Sequence, residues 1–281
     1  MLPRMKFRPF SPVLCALAVA LMSFGAAVVV SAQTAKKNNP TSKLFVADVA
    51  GESQIDTGVK IEPLIKNAVH SPEGSVIETK ANSTDSLVLS NGTALYVTAN
   101  TRLEVKRFLQ EPFAPNRADL DVEPSISQTV IRLVRGGIGV CTSKLVAGSS
   151  LVFQTPQGTI NVRGRRMVIH ATETETKITL IEGDITVVPE GSAAGQTLTP
   201  GQQAIIRRET PEAGATVAVQ SIPAETAATE DETVSLACIA RRTVYFEAVD
   251  RADGSTDIVP VRTVPTTAPT QFTVSPARIG G

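Results

Sequence analysis

The chain has 281 residues, which is enough for one large or two small domains. Apolar residues make up 42% of it, but aromatics only 4% and Trp is absent, so the core must consist mainly of Val, Ile and Leu, a composition that favours β structure. The 27 basic and 27 acidic residues balance, without a long run of one sign, which argues against a nucleic-acid-binding protein.

The N-terminal residues 1–32 have the parts of a signal peptide. A basic start precedes an uncharged run rich in Ala, Val and Leu over 13–30, and small residues then lead up to Ala32. Signal peptidase accepts small side chains at this point, so the sequence predicts cleavage after Ala32 and a periplasmic or secreted protein. The alternative is an uncleaved inner-membrane anchor formed by 13–30, because this run reaches the lower length limit of a membrane span.

After a polar tether over 33–43, the sequence changes to short β-type runs. The clearest signal is the Asn91-Gly92 pair between two such runs, which predicts a type I′ hairpin turn with positive φ at both residues. Residues 111–125 contain three prolines and no periodicity, so we expect an excursion from the sheet there. Strands then resume about every eight to twelve residues, a spacing typical of a sandwich, barrel or coiled β architecture.

The sequence therefore predicts an all-β fold, with a twisted solenoid-like or sandwich-like domain of short strands over 44–209. Residues 210–232 are rich in Pro, Ala, Thr and Glu and are interpreted as a linker. A small C-terminal β extension over 233–281 follows. No run has convincing helical periodicity, so no helix is expected.

Two cysteines, Cys141 and Cys238, remain once the signal is removed. An oxidising compartment favours a disulfide between them, and the C-terminal extension would then pack on the main domain. The alternative is a pair of buried free thiols. There is no Cys-x-x-Cys motif, which argues against a redox or zinc site.

An ordered set of glycine-containing motifs lies between Val- and Ile-rich strands from about Asn91 to Arg207. The motifs are Asn91-Gly92-Thr93, Arg135-Gly136-Gly137, Thr155-Pro156-Gln157-Gly158-Thr159-Ile160-Asn161-Val162-Arg163-Gly164, Ile181-Glu182-Gly183 and Pro200-Gly201-Gln202-Gln203. This part of the chain resembles the FecR domain. We expect the glycines to serve tight turns and close backbone approaches, which makes them architectural residues.

The resemblance implies an extracytoplasmic β fold, a twisted stack of short strands. In the iron-transport regulators of the family, such a domain relays a signal from an outer-membrane transporter to a cytoplasmic sigma factor. This sequence departs from that plan because its apolar run begins close to Met1, without a cytoplasmic anti-sigma segment before it. We therefore expect the domain to act here as an exported module, with periplasmic signal relay as the alternative.

No group of residues predicts catalysis, a cofactor or a metal site. The two histidines, His70 and His170, do not lie at metal-ligand spacing, and no nucleophile elbow is present. Asp119, Asp121 and Glu123 could offer oxygen ligands to Ca²⁺, but their spacing completes no known loop, so a solvated acidic loop is preferred.

Arg163, Arg165 and Arg166 form a candidate patch for an anionic polymer or for carboxylates of a partner. The alternative is a row of arginines on a solvent-exposed strand face. The sequence as a whole predicts an exported, non-enzymatic FecR-domain protein, a binding or structural module whose partner is an unknown envelope protein or polymer. Two alternatives remain: signal relay in sigma-factor or iron-transport regulation, and a polysaccharide-active enzyme with a carboxylate pair.

Overall fold

The structure is a computed structural model that describes residues 41–113, 121–163, 165–208, 210 and 214–263. The predicted signal peptide over 1–32, most of the tether, Asp119 and Gly164 lie outside the described residues. A last strand, which the sequence pattern places at 271–274, also lies outside them.

The described residues form nineteen strands and one helix. In chain order the strands are β1 Leu44–Ala50, β2 Ser53–Asp56, β3 Ile61–Pro63, β4 Val69–His70, β5 Val76–Thr79, β6 Thr84–Leu89, β7 Ala94–Val97, β8 Arg102–Gln110, β9 Ser127–Cys141, β10 Ser150–Thr155, β11 Gly158–Val162, β12 Arg166–Ala171, β13 Glu175–Glu182, β14 Ile185–Pro189, β15 Gln196–Leu198, β16 Gln202–Arg207, β17 Thr216–Ser221, β18 Val244–Asp250 and β19 Thr256–Arg262; helix α1 spans Ala224–Arg242. The all-β prediction and the small C-terminal β extension are confirmed.

Strand β9 is fifteen residues long and belongs to two sheets. Up to Arg135 it pairs with β8 and β10, and from Gly136 onward it pairs with β7 and β12. Gly136 has a φ of 92°, and a Cβ there would lie 2.5 Å from Cα of Thr101, so only glycine fits the point where the strand changes sheets. The sequence predicts a turn between two strands at this motif; the structure instead has one continuous, bent strand.

The first sheet has the order β4-β1-β6-β7-β9-β12-β13-β16-β17, and all of its pairings are antiparallel. The second has the order β3-β2-β5-β8-β9-β10-β11-β14-β15, in which only β9 and β10 are parallel. Buried side chains of both sheets, such as Leu87 and Ile178 from the first and Ile77 and Phe108 from the second, form one core. The architecture is therefore sandwich-like.

The hairpin at Asn91-Gly92 exists, but its turn differs from the predicted type I′. Gly92 has a φ of 82°, whereas Asn91 is not among the described residues with positive φ. Asn91 instead buries its side chain, whose Oδ1 accepts a hydrogen bond from the Thr93 amide and whose Nδ2 donates to Ser127 Oγ. The side-chain amide of Asn91 therefore connects the turn to β9. These hydrogen bonds stabilise the turn in place of the positive φ at Asn91 that a type I′ turn requires.

The prediction of no helix is wrong, because α1 is nineteen residues long. Its buried positions, Glu230, Val234, Ala237 and Arg241, follow helical spacing, but this face is largely small or charged, so a search for apolar periodicity misses it.

The predicted linker over 210–232 is also different in the structure. It contains β17, an edge strand paired with β16, and the first part of α1. No helix within the described residues has the length and apolar character that crossing a bilayer requires.

Candidate functional site

Helix α1 lies against the outer face of the first sheet, over β7 and β9. The helix lies very close to the sheet at Gly139, where a Cβ would lie 2.5 Å from the carbonyl oxygen of Thr233. One turn further along the helix, a disulfide joins Cys238 to Cys141, with 5.1 Å between the Cα atoms. The predicted disulfide is thus present, and it holds the helix to the sheet.

The β18–β19 hairpin continues this cover of the first sheet. In β6 the side chains of Leu87 and Leu89 face the inter-sheet core, while Val88 between them faces outward, because side chains alternate along a strand. A second apolar cluster forms on this outer face from Phe45, Val88, Ala94, Ala240, Val244, Phe246 and Ile258. The C-terminal extension is therefore packed on the sandwich, as the disulfide prediction implies.

A cleft of about 310 Å³ remains between this extension and the sheet; we call it the hairpin cleft. Its lining combines apolar and polar residues. The apolar ones are Val88, Leu89, Phe113, Val122, Pro124, Val244 and Phe246, and the polar ones include Ser90, Glu123, Ser143, Arg241 and Tyr245. Apolar walls with a few converging polar groups are typical of binding sites.

Glu123 is buried at the base of the hairpin cleft. Its Oε1 accepts a hydrogen bond from Ser127 Oγ, and its Oε2 accepts one from the Val146 amide at 3.1 Å. Burial raises the pKa of Glu123, although these hydrogen bonds oppose the rise. The carboxyl group fastens the loop after β9 to the chain segment that precedes β9.

Arg241, in the last turn of α1, is also buried and lies beside the hairpin cleft. Its guanidinium donates to Asp121 Oδ1 and, at 3.1 Å, to Ser143 Oγ. The hydrogen bond from Arg241 holds the pKa of Asp121 below its usual value. Asp121 and Glu123, which the sequence treats as a solvated acidic loop, thus have different environments: Asp121 is exposed and paired, and Glu123 is buried.

A second pocket, of about 370 Å³, lies beside the disulfide; we call it the arginine pocket. Its lining includes Arg165, Arg166, Arg241 and Arg242, with Glu182 as the acidic member. Arg163, by contrast, is exposed after the end of β11 and does not line this pocket. The structure therefore separates the predicted arginine patch: Arg163 stands apart, and Arg165 and Arg166 join two arginines of α1.

Of the predicted turn glycines, Gly92, Gly136, Gly183 and Gly201 have positive φ. Gly137 and Gly158 allow close approaches instead, since a Cβ at Gly137 would lie 2.5 Å from His170 Nδ1 and one at Gly158 would lie 2.6 Å from the Val188 carbonyl oxygen.

His170 Nε2 lies 3.5 Å from Glu230 Oε2 of α1. Within the described ranges, no group of three or more His, Cys, Asp or Glu residues could hold a metal ion.

Sequence reasoning missed both pockets, because it predicted no helix, and the second half of α1 supplies lining residues to both of them. Two features of the sequence indicate that the outer face of the first sheet is covered by other parts of the chain. The continuous apolar run Leu87-Val88-Leu89 is typical of a strand buried on both faces. The predicted disulfide also places Arg241 near Ser143, since each lies two or three residues from a bonded cysteine.

The family model described as FecR protein matches residues 75–186. Two crystal structures, each of a candidate anti-sigma factor from Parabacteroides distasonis ATCC 8503, are similar at a TM-score of 0.40. One is 15% identical, with 54% of this chain and 62% of that chain covered, and the other is 12% identical, with 67% and 99% covered. No curated protein matches. The chain carries a FecR domain, over residues 75–186, from just before β5 into β14.

Proposed function

We propose that this chain is an exported, non-enzymatic FecR-domain protein that binds a partner in the cell envelope through the hairpin cleft. The observation that carries the proposal is the cleft itself. Three aromatic side chains, those of Phe113, Tyr245 and Phe246, stand beside the polar groups of Glu123 and Arg241. Such a mixed lining suits an amphipathic segment of a partner, with an apolar side chain inside and polar groups at the rim.

The contacts of the two acidic residues support binding over catalysis. A pair of carboxyl groups with pKa values moved in opposite directions, as at Asp121 and Glu123, is also typical of acid–base catalysis. Here, however, both oxygens of Glu123 accept hydrogen bonds from the protein, and Asp121 is paired with Arg241. These contacts support a structural role for both groups, since a general acid or base must be able to reach the substrate.

The FecR domain supports a role in signal regulation, and the family is generally regulatory and not enzymatic. A regulatory protein of the envelope must recognise another molecule, so this role and the binding module are compatible. Periplasmic signal relay is therefore the second candidate function. It differs from the first in the identity of the partner, which would be a transporter or membrane regulator.

A photo-crosslinking amino acid in the hairpin cleft tests the proposal. It replaces Tyr245 in the protein as expressed in its own cells, and the matched control places it at Thr197, exposed on the edge strand β15. We expect a discrete, saturable crosslinked product from position 245 alone, which a Val88→Asp substitution in the cleft abolishes. Equal products from both positions, or none from position 245, would contradict the proposal.

Mass spectrometry of the product distinguishes the two candidate functions. A transporter or membrane regulator as the crosslinked partner would support signal relay. A structural envelope protein or a polymer would support the binding module.

A further inference from the structure

The arginine pocket concentrates positive charge from separate parts of the chain. Arg166 is the first residue of β12 and Arg165 directly precedes it, whereas Arg241 and Arg242 come from the last turn of α1. Basic residues at the end of a helix are favourable for the helix dipole, which accounts for the latter two. It does not account for Arg165 and Arg166, which approach the same pocket from a strand of the sheet.

Acceptors from the protein do not satisfy all the guanidinium donors of Arg165 and Arg166. Arg165 contacts Asp121 and Glu182 at 3.5 Å each, and Arg166 donates to Asp231 at 3.0 Å and to Ser235 Oγ at 3.2 Å. The Nε atoms of Arg165 and Arg166 are buried, and no described residue accepts a hydrogen bond from them. Buried donors without an acceptor are costly, and they are rare unless a water or a ligand serves them.

Arg242 adds an exposed guanidinium at the rim of the pocket, and no ion pair within the described ranges involves it. Three carboxylates, those of Asp121, Glu182 and Asp231, pair with the other three arginines, so the four guanidinium groups exceed their acidic partners by one, and Glu182 is the acid that lines the pocket itself. The pocket therefore has an excess of positive charge, and its donors approach from two sides. A planar carboxylate matches one arginine fork, whereas a tetrahedral oxyanion can accept hydrogen bonds from several directions at once.

We propose that the arginine pocket binds a tetrahedral oxyanion, a phosphate group either free or carried by an envelope lipid or polymer. Arg165, Arg166 and Arg242 supply the donors. The Cys141–Cys238 disulfide lines the pocket and fixes α1, which carries Arg242, against the sheet that carries Arg165 and Arg166. The site is distinct from the hairpin cleft, so it can be present whether or not the cleft binds a partner.

Calorimetric titration of the purified protein with pyrophosphate at low ionic strength tests the proposal. Arg242→Gln removes an exposed arginine of the pocket, and Arg163→Gln removes an exposed arginine outside it; neither side chain is buried, so both variants should fold. We expect saturable binding at one site, weakened about tenfold by Arg242→Gln and unchanged by Arg163→Gln. Reduction of the disulfide should also weaken binding.

Three results would overturn the proposal. They are the absence of saturable pyrophosphate binding, an equal effect of the two substitutions, and equal affinity for malonate, whose carboxylates are planar. Circular dichroism of both variants checks that the fold is kept.

A vesicle arm identifies the source of the phosphate. If the wild type sediments with phosphatidylglycerol vesicles but not with phosphatidylcholine vesicles, and Arg242→Gln does not, the phosphate belongs to a lipid headgroup. Arg242-dependent binding of pyrophosphate without vesicle binding would assign a free or polymer-borne phosphate.

Discussion

At the scale of single residues, Asp85 places an ionisable group inside the sandwich. It lies on β6, 1% exposed, in line with the core residues Leu87 and Leu89. Burial raises the pKa of Asp85 to about 6; the neighbouring Ser53 hydroxyl opposes the rise, and the nearby charge of Asp48 adds to it. The folded protein therefore holds a proton at this position that the unfolded chain releases at lower pH.

Because the folded-state pKa is raised, the stability from Asp85 is fully present below about pH 3.8 and is lost as the pH rises through about 6. Asp85→Asn should remove this dependence, so that the fall in unfolding free energy between pH 4.5 and 7.5 becomes about 2 kcal/mol smaller than in the wild type. Urea denaturation at both pH values measures it, with the exposed Asp184→Asn as control. An unchanged pH profile in Asp85→Asn would refute the assignment.

Gly139 is a residue at which the α1 backbone lies very close to the sheet. A methyl group there would meet the Thr233 carbonyl oxygen of the helix backbone, so Gly139→Ala must displace α1 and should lower the unfolding free energy by about 1–3 kcal/mol. Gly214→Ala, where a Cβ meets no atom within 4 Å, is the matched control. Thermal unfolding of both variants measures the difference, and equal melting temperatures would mean that the helix is not held at this point.

At the scale of elements, the disulfide links α1 to β9 across 97 positions of sequence. In the chain-entropy model a loop of this length stabilises the fold by about 5 kcal/mol. Replacing both cysteines by Ser should cause a loss of this order in urea denaturation and make α1 more susceptible to proteolysis. A reductant should have the same effect on the wild type and none on the double variant. A wild type indifferent to reductant would contradict this role.

The sequence predicts an element well when the residues that determine it are close together in the chain, and poorly when they come from distant parts of the chain. The hairpin at Asn91-Gly92 and the recurring strands were predictable, because alternation and turn residues act over a few positions. The bend of β9 at Gly136 was not, since it depends on Thr101, which lies just before β8 and packs against Gly136. Helix α1 was missed because its buried face consists of residues such as Glu230, Ala237 and Arg241, whose burial depends on contacts with the sheet.

At the scale of the whole molecule, the sandwich is larger than the matched FecR domain. The domain at 75–186 lacks β1, which pairs with β6, and β16, which pairs with β13. Both strands contribute fully buried core residues, among them Leu44 and Ile206. A fragment of residues 75–186 should therefore fail to fold, whereas a fragment of 41–263 should unfold cooperatively; circular dichroism in a urea series compares them. Cooperative unfolding of the shorter fragment would show that the added strands are dispensable.

Export is the central requirement of the proposed function, because the disulfide needs an oxidising compartment and a partner in the envelope lies outside the cytoplasm. The direct measurement is the intact mass of the protein recovered from its own cells, before and after reduction. We predict an N-terminus at Gln33 and a gain of about two mass units on reduction, from a single disulfide. A mass that begins at Met1 and does not change on reduction would contradict the account.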